Sequence, residues 1–470
     1  MTRVLLVVPP EPLLKDLKQS GSKWPRVGLG YVAAYLREHG VDVRVMDCKA
    51  EELDHDGAAQ RIAEFRPDFL GVGPFTEEIE EAYRVCRTAK GIDARITTVF
   101  GGPHASALPE RTLRGCPELD TVVCGEGEVT LLELVRGADR AAVRGLVFRR
   151  DGDVIGNQPR EQIADIDALP YPAWDLFPLE AYRGILTLHL REKINRPALE
   201  LPILSARGCP YRCNFCYKTY HGLRNRDPIT VVDELEHDMK AFGASEFFFV
   251  EGTFAADRAQ GMRICDEIVR RGLADRIRWI VETRVNVVTE DLLSRMKQAG
   301  CRQVEFGVET GDAEILRQTQ KGTTLEQVSR AVSLAKKAGL KVGCYFIIGH
   351  PNETRESIAR TYAFARRLDP DLMNVGIMIP YPGTRVRAMA ERGEGGYRLL
   401  CDDWSEYTKQ RGGPLELRDV PLGDLQRIQS RQYIAYYLQP RKMWFVLRNL
   451  SLRKIGRIVR SLLGAAVRPR

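Results

Sequence analysis

Three cysteines, Cys209, Cys213 and Cys216, stand within eight positions in the stretch SARGCPYRCNFCYKTYHG. Thiolates hold zinc and iron–sulfur clusters. A closed zinc site takes four ligands, and no second C-x2-C follows downstream to finish one. His221, five residues after Cys216, is the histidine at hand for that reading. Three inert sulfurs form a second reading, set against a loop rich in polar and aromatic residues. The spacing favours a third: a [4Fe–4S] cluster with three irons held by the chain and the fourth left open to a ligand.

Such a loop needs a rigid support, and the flanking pattern supplies one. From Leu201 to about residue 385, apolar runs alternate with helical stretches: LPILSA, EFFFVEG, IRWIVETR, QVEFGVET, KVGCYFIIG and LMNVGIMI. Six strand-then-helix repeats predict a partial or full β/α barrel, and the cysteines follow its first strand at the rim where barrels carry chemistry. Residues 1–140 show a second parallel rhythm, beginning with RVLLVV. Its predicted strands run into the loops PPEP, GPF, GGPHAS and GEGE, where glycine lets backbone approach a ligand closely. No G-x-G-x-x-G follows the first strand; Gly28 and Gly30 fall in a helix start, which argues against a dinucleotide site. Residues 141–200 read as a connecting element, with a hairpin at Asp151-Gly152 and a proline-punctuated aromatic crossing, LPYPAWDLFPLEAY. Residues 386–470 read as mainly helical.

Composition bounds the rest. The chain has 470 residues, with 44% hydrophobic and 28% charged, enough for two or three folded domains. Eleven cysteines without small-domain spacing fit a reducing, cytoplasmic compartment rather than a disulfide framework. No run of eighteen apolar residues predicts a membrane span. The formal charge of +7 comes from one end: Arg441 to Arg470 holds nine basic residues and no acidic one. A general nucleic-acid surface does not follow from it, and nucleic acid is not expected as a partner.

The C-x3-C-x2-C spacing, with Phe215 before the last cysteine, resembles the radical S-adenosylmethionine (SAM) enzymes. FFFVEGTF, IRWIVETRVN, QVEFGVETGDAEILRQTQKGTT and GLKVGCYFIIGHPNET resemble that family's successive strand ends. The first region resembles the cobalamin-binding domain of the cobalamin-dependent members, through WPRVGLGYVAAYLREHGVDVRVMD, FGGPHAS and VVCGEGE. The implied fold is α/β: a Rossmann-like cobalamin-binding domain, a radical SAM partial (β/α)6 barrel, then the helical region. The implied cofactors are a [4Fe–4S] cluster, SAM and cobalamin.

By position, the resemblance assigns Phe215, Glu251, Arg284, Glu309, Ile347 and Gly349 to SAM. A surface ion pair is the competing reading for Arg284 and Glu309. It assigns Pro10, Gly28, Gly73, Gly101, Gly102, His104, Gly125 and Glu126 to cobalamin. The D-x-H-x-x-G motif that puts a histidine on cobalt is missing, so His104 is expected near the corrin and not as a cobalt ligand. Tyr217, His221, Tyr345 and Tyr381 are the candidates to meet substrate.

The activity implied is transfer of a methyl group from SAM, through cobalamin, to an unactivated carbon of a small or lipid-like substrate. Oxidative cyclisation or ring rearrangement on the same two domains is the alternative, and a non-catalytic cofactor-binding module is the other. An external one-electron reductant such as flavodoxin or ferredoxin is implied. Trp444, Leu447, Ile455, Ile458 and Leu462 recur at helical spacing among arginines, which suits contact with an anionic membrane surface at its inner face as well as packing on the barrel.

Overall fold

A computed structural model describes residues 1–11, 24–183, 198–408, 412–440 and 442. The tail positions 444–462 lie outside the described residues.

The first region builds a seven-stranded sheet from β1 (Arg3–Val8), β2 (Asp42–Asp47), β3 (Phe69–Val72), β4 (Thr97–Phe100), β5 (Thr121–Val123), β6 (Leu146–Arg150) and β7 (Asp153–Gly156). Its order is β2-β1-β3-β4-β5-β6-β7, with the first five parallel. The run RVLLVV forms the central strand because an all-apolar strand suits a sheet covered on both faces; Val4 to Val8 are buried. The strand order, not the strand direction, reverses between the parallel neighbours β1 and β3, so the crevice for a ligand opens above Pro10 and Gly73.

The hairpin at Asp151-Gly152 forms, but it does not stand apart in the connecting element. Its strand β6 pairs antiparallel with β5 and extends the first sheet. The edge of β5 offers unpaired backbone groups, and the hairpin that returns after the helix Gly127–Val135 satisfies them. The aromatic crossing does pack between units. Trp174 is fully buried against the barrel core, and a Cβ at Gly30 would lie 3.1 Å from its ring.

The second sheet is six-stranded and parallel, in the order β15-β14-β13-β12-β11-β8. It comprises β8 (Leu199–Ile203), β11 (Ala244–Phe249), β12 (Arg278–Thr283), β13 (Cys301–Glu309), β14 (Lys341–Ile348) and β15 (Leu372–Ile377). An antiparallel pair, β9 (Ala206–Gly208) and β10 (Leu223–Asn225), branches from the end of β8. Helices Pro228–Phe242, Arg258–Arg270, Glu290–Gln298, Leu325–Lys337 and Arg355–Leu368 follow the strands. Their starts are set by side-chain caps; Asp227 accepts from the Ile229 amide and Thr324 from that of Gln327.

The last region holds helices Arg385–Glu391 and Leu422–Tyr437, and also a short antiparallel pair, β16 (Tyr397–Leu399) with β17 (Leu415–Leu417). Three-residue strands are too short to show a period of two in sequence. Trp404 and Tyr407 from this region join the core of the first domain. Asp402 bridges the two, accepting from Arg111 of the first domain at 2.6 Å and from Arg387 at 2.8 Å. No helix among the described residues is long and apolar enough to cross a membrane.

The barrel core centres on Phe249, Phe254 and Trp279, with ring centroids 4.9–5.5 Å apart. Trp279 is fully buried and donates its indole N–H to Ala299 O at 2.7 Å. Trp279→Ala is expected to cost about 3–5 kcal/mol, read as a lowered midpoint in urea with little change in slope.

Candidate active site

The three cysteines occupy the loop closed by β9 and β10. Gly208 ends β9 at φ +92, and a Cβ there would lie 2.3 Å from Gly222 O, so the neck of the loop has no room for any other residue. Both strands of the neck are fixed in register, Arg207 opposite Arg224. Further in, Asn214 N donates to Thr319 O at 3.0 Å, and Lys218 Nζ to Cys209 O at 3.1 Å. Cys209 and Cys213 are half-buried and Cys216 is exposed.

The barrel rim surrounds this loop. Arg284, buried at the end of β12, donates to Cys213 Sγ at 3.4 Å and lies 3.6 Å from the Tyr211 ring centroid. It also donates to the carbonyl of Lys321. The Lys321 ammonium forms a buried ion pair with Glu309, which sits at a bulge of β13 with φ +71. The Cys213 thiol is thereby driven toward thiolate: hydrogen bonding with Cys216 lowers its pKa first, and the charges of Lys321 and Arg284 add to that against burial. Arg284 and Glu309 are therefore not a surface ion pair with one another; both are buried, and Lys321 connects them.

Lys321 was not singled out in sequence. Its signal was a lysine beside Gly322 in QKGTT, on the loop leaving the rim helix Ala313–Gln318.

Glu251 follows β11 and is buried. Its carboxylate accepts from Ser205 Oγ at 2.5 Å, and burial raises its pKa to about 7. Phe215 meets the fully buried His350 edge to face at 6.1 Å, and Ile347 and Gly349 lie on the strand end before it. Burial lowers the His350 pKa to about 4, so its ring is neutral at pH 7. Glu353 accepts from the amides of Gly349 and His350, at 2.5 and 3.1 Å, and burial raises its pKa to about 8.

The four tyrosine and histidine candidates separate. Tyr217 lies where three elements meet: a Cβ at Gly383, after the last barrel strand, would be 2.6 Å from its ring and 3.4 Å from Ala107 of the first domain. Tyr345 donates to Glu305 within the barrel. The Tyr381 hydroxyl is buried with no hydrogen-bond partner among the described residues, against the first-domain core. His221 is exposed at the outer end of the cysteine loop, its backbone held by the Gln162 side chain.

Across from the rim, Gly28, Gly73, Gly101, Gly102 and Gly125 line the ends of the first sheet. A Cβ at Gly28 or Gly125 would touch nothing, and at Gly73, Gly101 or Gly102 nothing closer than 3.8 Å. That open cradle of backbone leaves room for a large planar ligand. His104 is 3% exposed, its Nδ1 3.1 Å from Thr76 Oγ1 and its ring edge-on to Trp404 at 5.0 Å. Burial lowers its pKa to about 4. Glu126 turns its carboxylate away from the cradle and into the barrel side, onto Arg207 and Arg224.

Among the described residues no three histidine, cysteine or carboxylate side chains converge tightly enough for one ion. A cubane cluster spreads its cysteines further apart, and the exposed edge and cationic surroundings of this loop fit it.

Residues 203–365 match the profile of the Radical SAM superfamily, and residues 16–135 that of the B12 binding domain. An uncharacterized methyltransferase of Pyrococcus horikoshii is 34% identical over 93% of this chain and 93% of its own. The chain belongs to the cobalamin-dependent radical SAM family. An anaerobic magnesium-protoporphyrin IX monomethyl ester cyclase of Rubrivivax gelatinosus is 32% identical over 76% of this chain and 65% of its own length. Among solved structures, the radical SAM methyltransferase TsrM of Kitasatospora setae superposes with a TM-score of 0.67 at 22% identity, over 86% of this chain and 79% of that one. This radical SAM enzyme uses a [4Fe–4S] cluster, SAM and cobalamin.

Two outcomes follow from the geometry. Gly208→Ala is expected to abolish most of the iron and sulfide taken up on reconstitution while far-UV circular dichroism stays near wild type. For Glu353 the folded pKa lies above its ordinary value, so its stabilisation is full below about 4.5 and lost as pH rises to about 8. Glu353→Gln should therefore gain stability over the wild-type apoprotein between pH 5 and 8, by on the order of 3–5 kcal/mol, measured as the difference in urea midpoints.

Proposed function

We propose that this enzyme is a C-methyltransferase that moves a methyl group from SAM, by way of cobalamin, to an unactivated carbon of a small or lipid-like substrate. The meeting of Tyr217, Gly383 and Ala107 carries this reading: the cysteine loop, the last barrel loop and the first domain come together at one point, where a substrate would lie between the two cofactors. When bound, the cluster supplies the electron that splits SAM to a carbon radical, and cobalamin supplies the methyl carrier.

The chain's own residues bind, orient and enclose. Arg284 and Lys321 present positive charge beside Cys213, suited to the carboxylate of SAM. Glu251 and Glu309 are acceptors for its amino and hydroxyl groups, and Phe215, Ile347 and Gly349 flank the adenine. Pro10 and the glycines of the first domain seat cobalamin, with His104 neutral and held by Thr76 rather than offered to cobalt. Tyr217, Tyr345 and Tyr381 face the substrate; the exposed His221 is the outermost of these candidates. A flavodoxin or ferredoxin delivers the electron at the exposed Cys216 edge. The basic tail beyond Arg441 suits contact with an anionic membrane surface, in keeping with a lipid-like substrate and a cytoplasmic enzyme.

A second reading, oxidative cyclisation, is favoured by the 32% identity to the Rubrivivax cyclase. One experiment separates them. The anaerobically reconstituted enzyme is incubated with reductant, candidate substrates and SAM deuterated at its methyl group, and products are read by mass spectrometry. A product carrying the labelled methyl, with 5′-deoxyadenosine formed beside it, is expected. An altered, unlabelled product with 5′-deoxyadenosine would replace methylation by cyclisation.

A further inference from the structure

The GEGE loop after β5 serves two directions at once. Gly125 turns at φ +79, its amide held by Ser106 Oγ at 3.0 Å, and its open side faces the cradle. The next residue crosses the seam. Glu126 Oε1 accepts from Arg207 Nη1 at 2.7 Å and Arg224 Nη2 at 3.1 Å; Oε2 accepts from Arg224 Nη1 at 2.9 Å and the Ile163 amide at 2.6 Å. Arg207 spends its other nitrogen on Glu128, at 2.7 Å. The Glu126 and Arg207 side chains are 3% and 5% exposed.

Arg207 and Arg224 are register partners at the neck of the cysteine loop. One carboxylate of the cobalamin domain therefore grips both stalks of the cluster loop. Burial opposes ionisation of Glu126, but bonds from Arg224, Arg207 and the Ile163 amide outweigh it and keep the carboxyl below its ordinary range. With four donors on its two oxygens, Glu126 has no acceptor capacity to spare for a cofactor.

We propose that Glu126 is a positioning residue: through Arg207 and Arg224 it sets the distance between the cobalamin cradle and the iron–sulfur loop. A buried ion network is poor evidence of added stability, because desolvation consumes most of its attraction. What it does fix is geometry, and reactive geometry tolerates little error. The inference rests on the two cofactor sites and not on which product forms, so a cyclase would need it as much as a methylase.

The test uses the full-length protein loaded with both cofactors and reduced so that the cluster and cob(II)alamin are paramagnetic. Their magnetic interaction, read by pulsed electron paramagnetic resonance, reports the separation without any substrate. Because that interaction falls with the cube of distance, a displacement of ~1 Å, which already spoils a reactive geometry, changes it by roughly a quarter for centres about 10 Å apart. Glu126→Gln and Arg224→Gln are each expected to weaken or broaden the interaction at wild-type iron and cobalamin contents, and Arg224→Lys to shift it less. Wild-type interaction in both glutamine variants would overturn the proposal. So would loss of cobalamin alone from Glu126→Gln, which would make the residue a cofactor ligand. If Glu126→Gln does not fold, Arg224→Gln, at the more exposed of the two arginines, decides by the same readout.

Discussion

Arg207 is charged, almost wholly buried, and held between two carboxylates of another domain. Taking a guanidinium out of water costs several kcal/mol, and the cost is offset only when the donors find acceptors in good geometry. Glu126 and Glu128 meet that requirement from one side, and the Tyr31 ring lies 5.0 Å from the guanidinium carbon. A second buried pair, Arg226 and Glu234, lies within the barrel region at 2.5 Å, and Arg226 reaches across the seam to the Tyr31 hydroxyl at 3.2 Å. The two sheets thus share a boundary made of directional bonds, which fixes orientation as well as proximity. Loops that would otherwise be placed by soft apolar packing are placed by angle.

Charge is handled in the same economical manner at the rim. Lys321 and Arg284 are drawn close to one another despite like charge, because Glu309 neutralises one and Tyr211 and Asn286 occupy the other. The net effect is a small positive field beside Cys213, at the position where a thiolate and an anionic ligand both benefit. The buried histidines, His350 in the barrel and His104 in the first domain, are held neutral by burial and add no charge that would compete.

The six strands of the barrel and the parallel strands of the first sheet were legible because buried parallel strands leave long apolar runs, and the cysteine loop because its chemistry demands a local spacing. Partners across the seam were not. Glu126 and Arg207 stand 81 positions apart, and nothing in either neighbourhood marks the other; the loop sequence GEGE alone pointed to a ligand. Lys321 was hidden for a similar reason, since a lysine near a glycine is an ordinary surface signal until β13 brings Glu309 to it. Trp404 carries no signal in its sequence neighbourhood, and only tertiary packing puts it beside His104.

That placement of Trp404 has a mechanical meaning. The first domain is joined to the barrel through the crossing at Trp174, and again, from the far end of the chain, through Trp404, Tyr407 and the Asp402 bridge. A body attached at two points can still turn about the line between them; the Glu126 seam is a third attachment, and with it that axis is lost. Separating the two bodies then means undocking the Trp404 segment and breaking the Glu126 seam, an event of local unfolding rather than a hinge stroke.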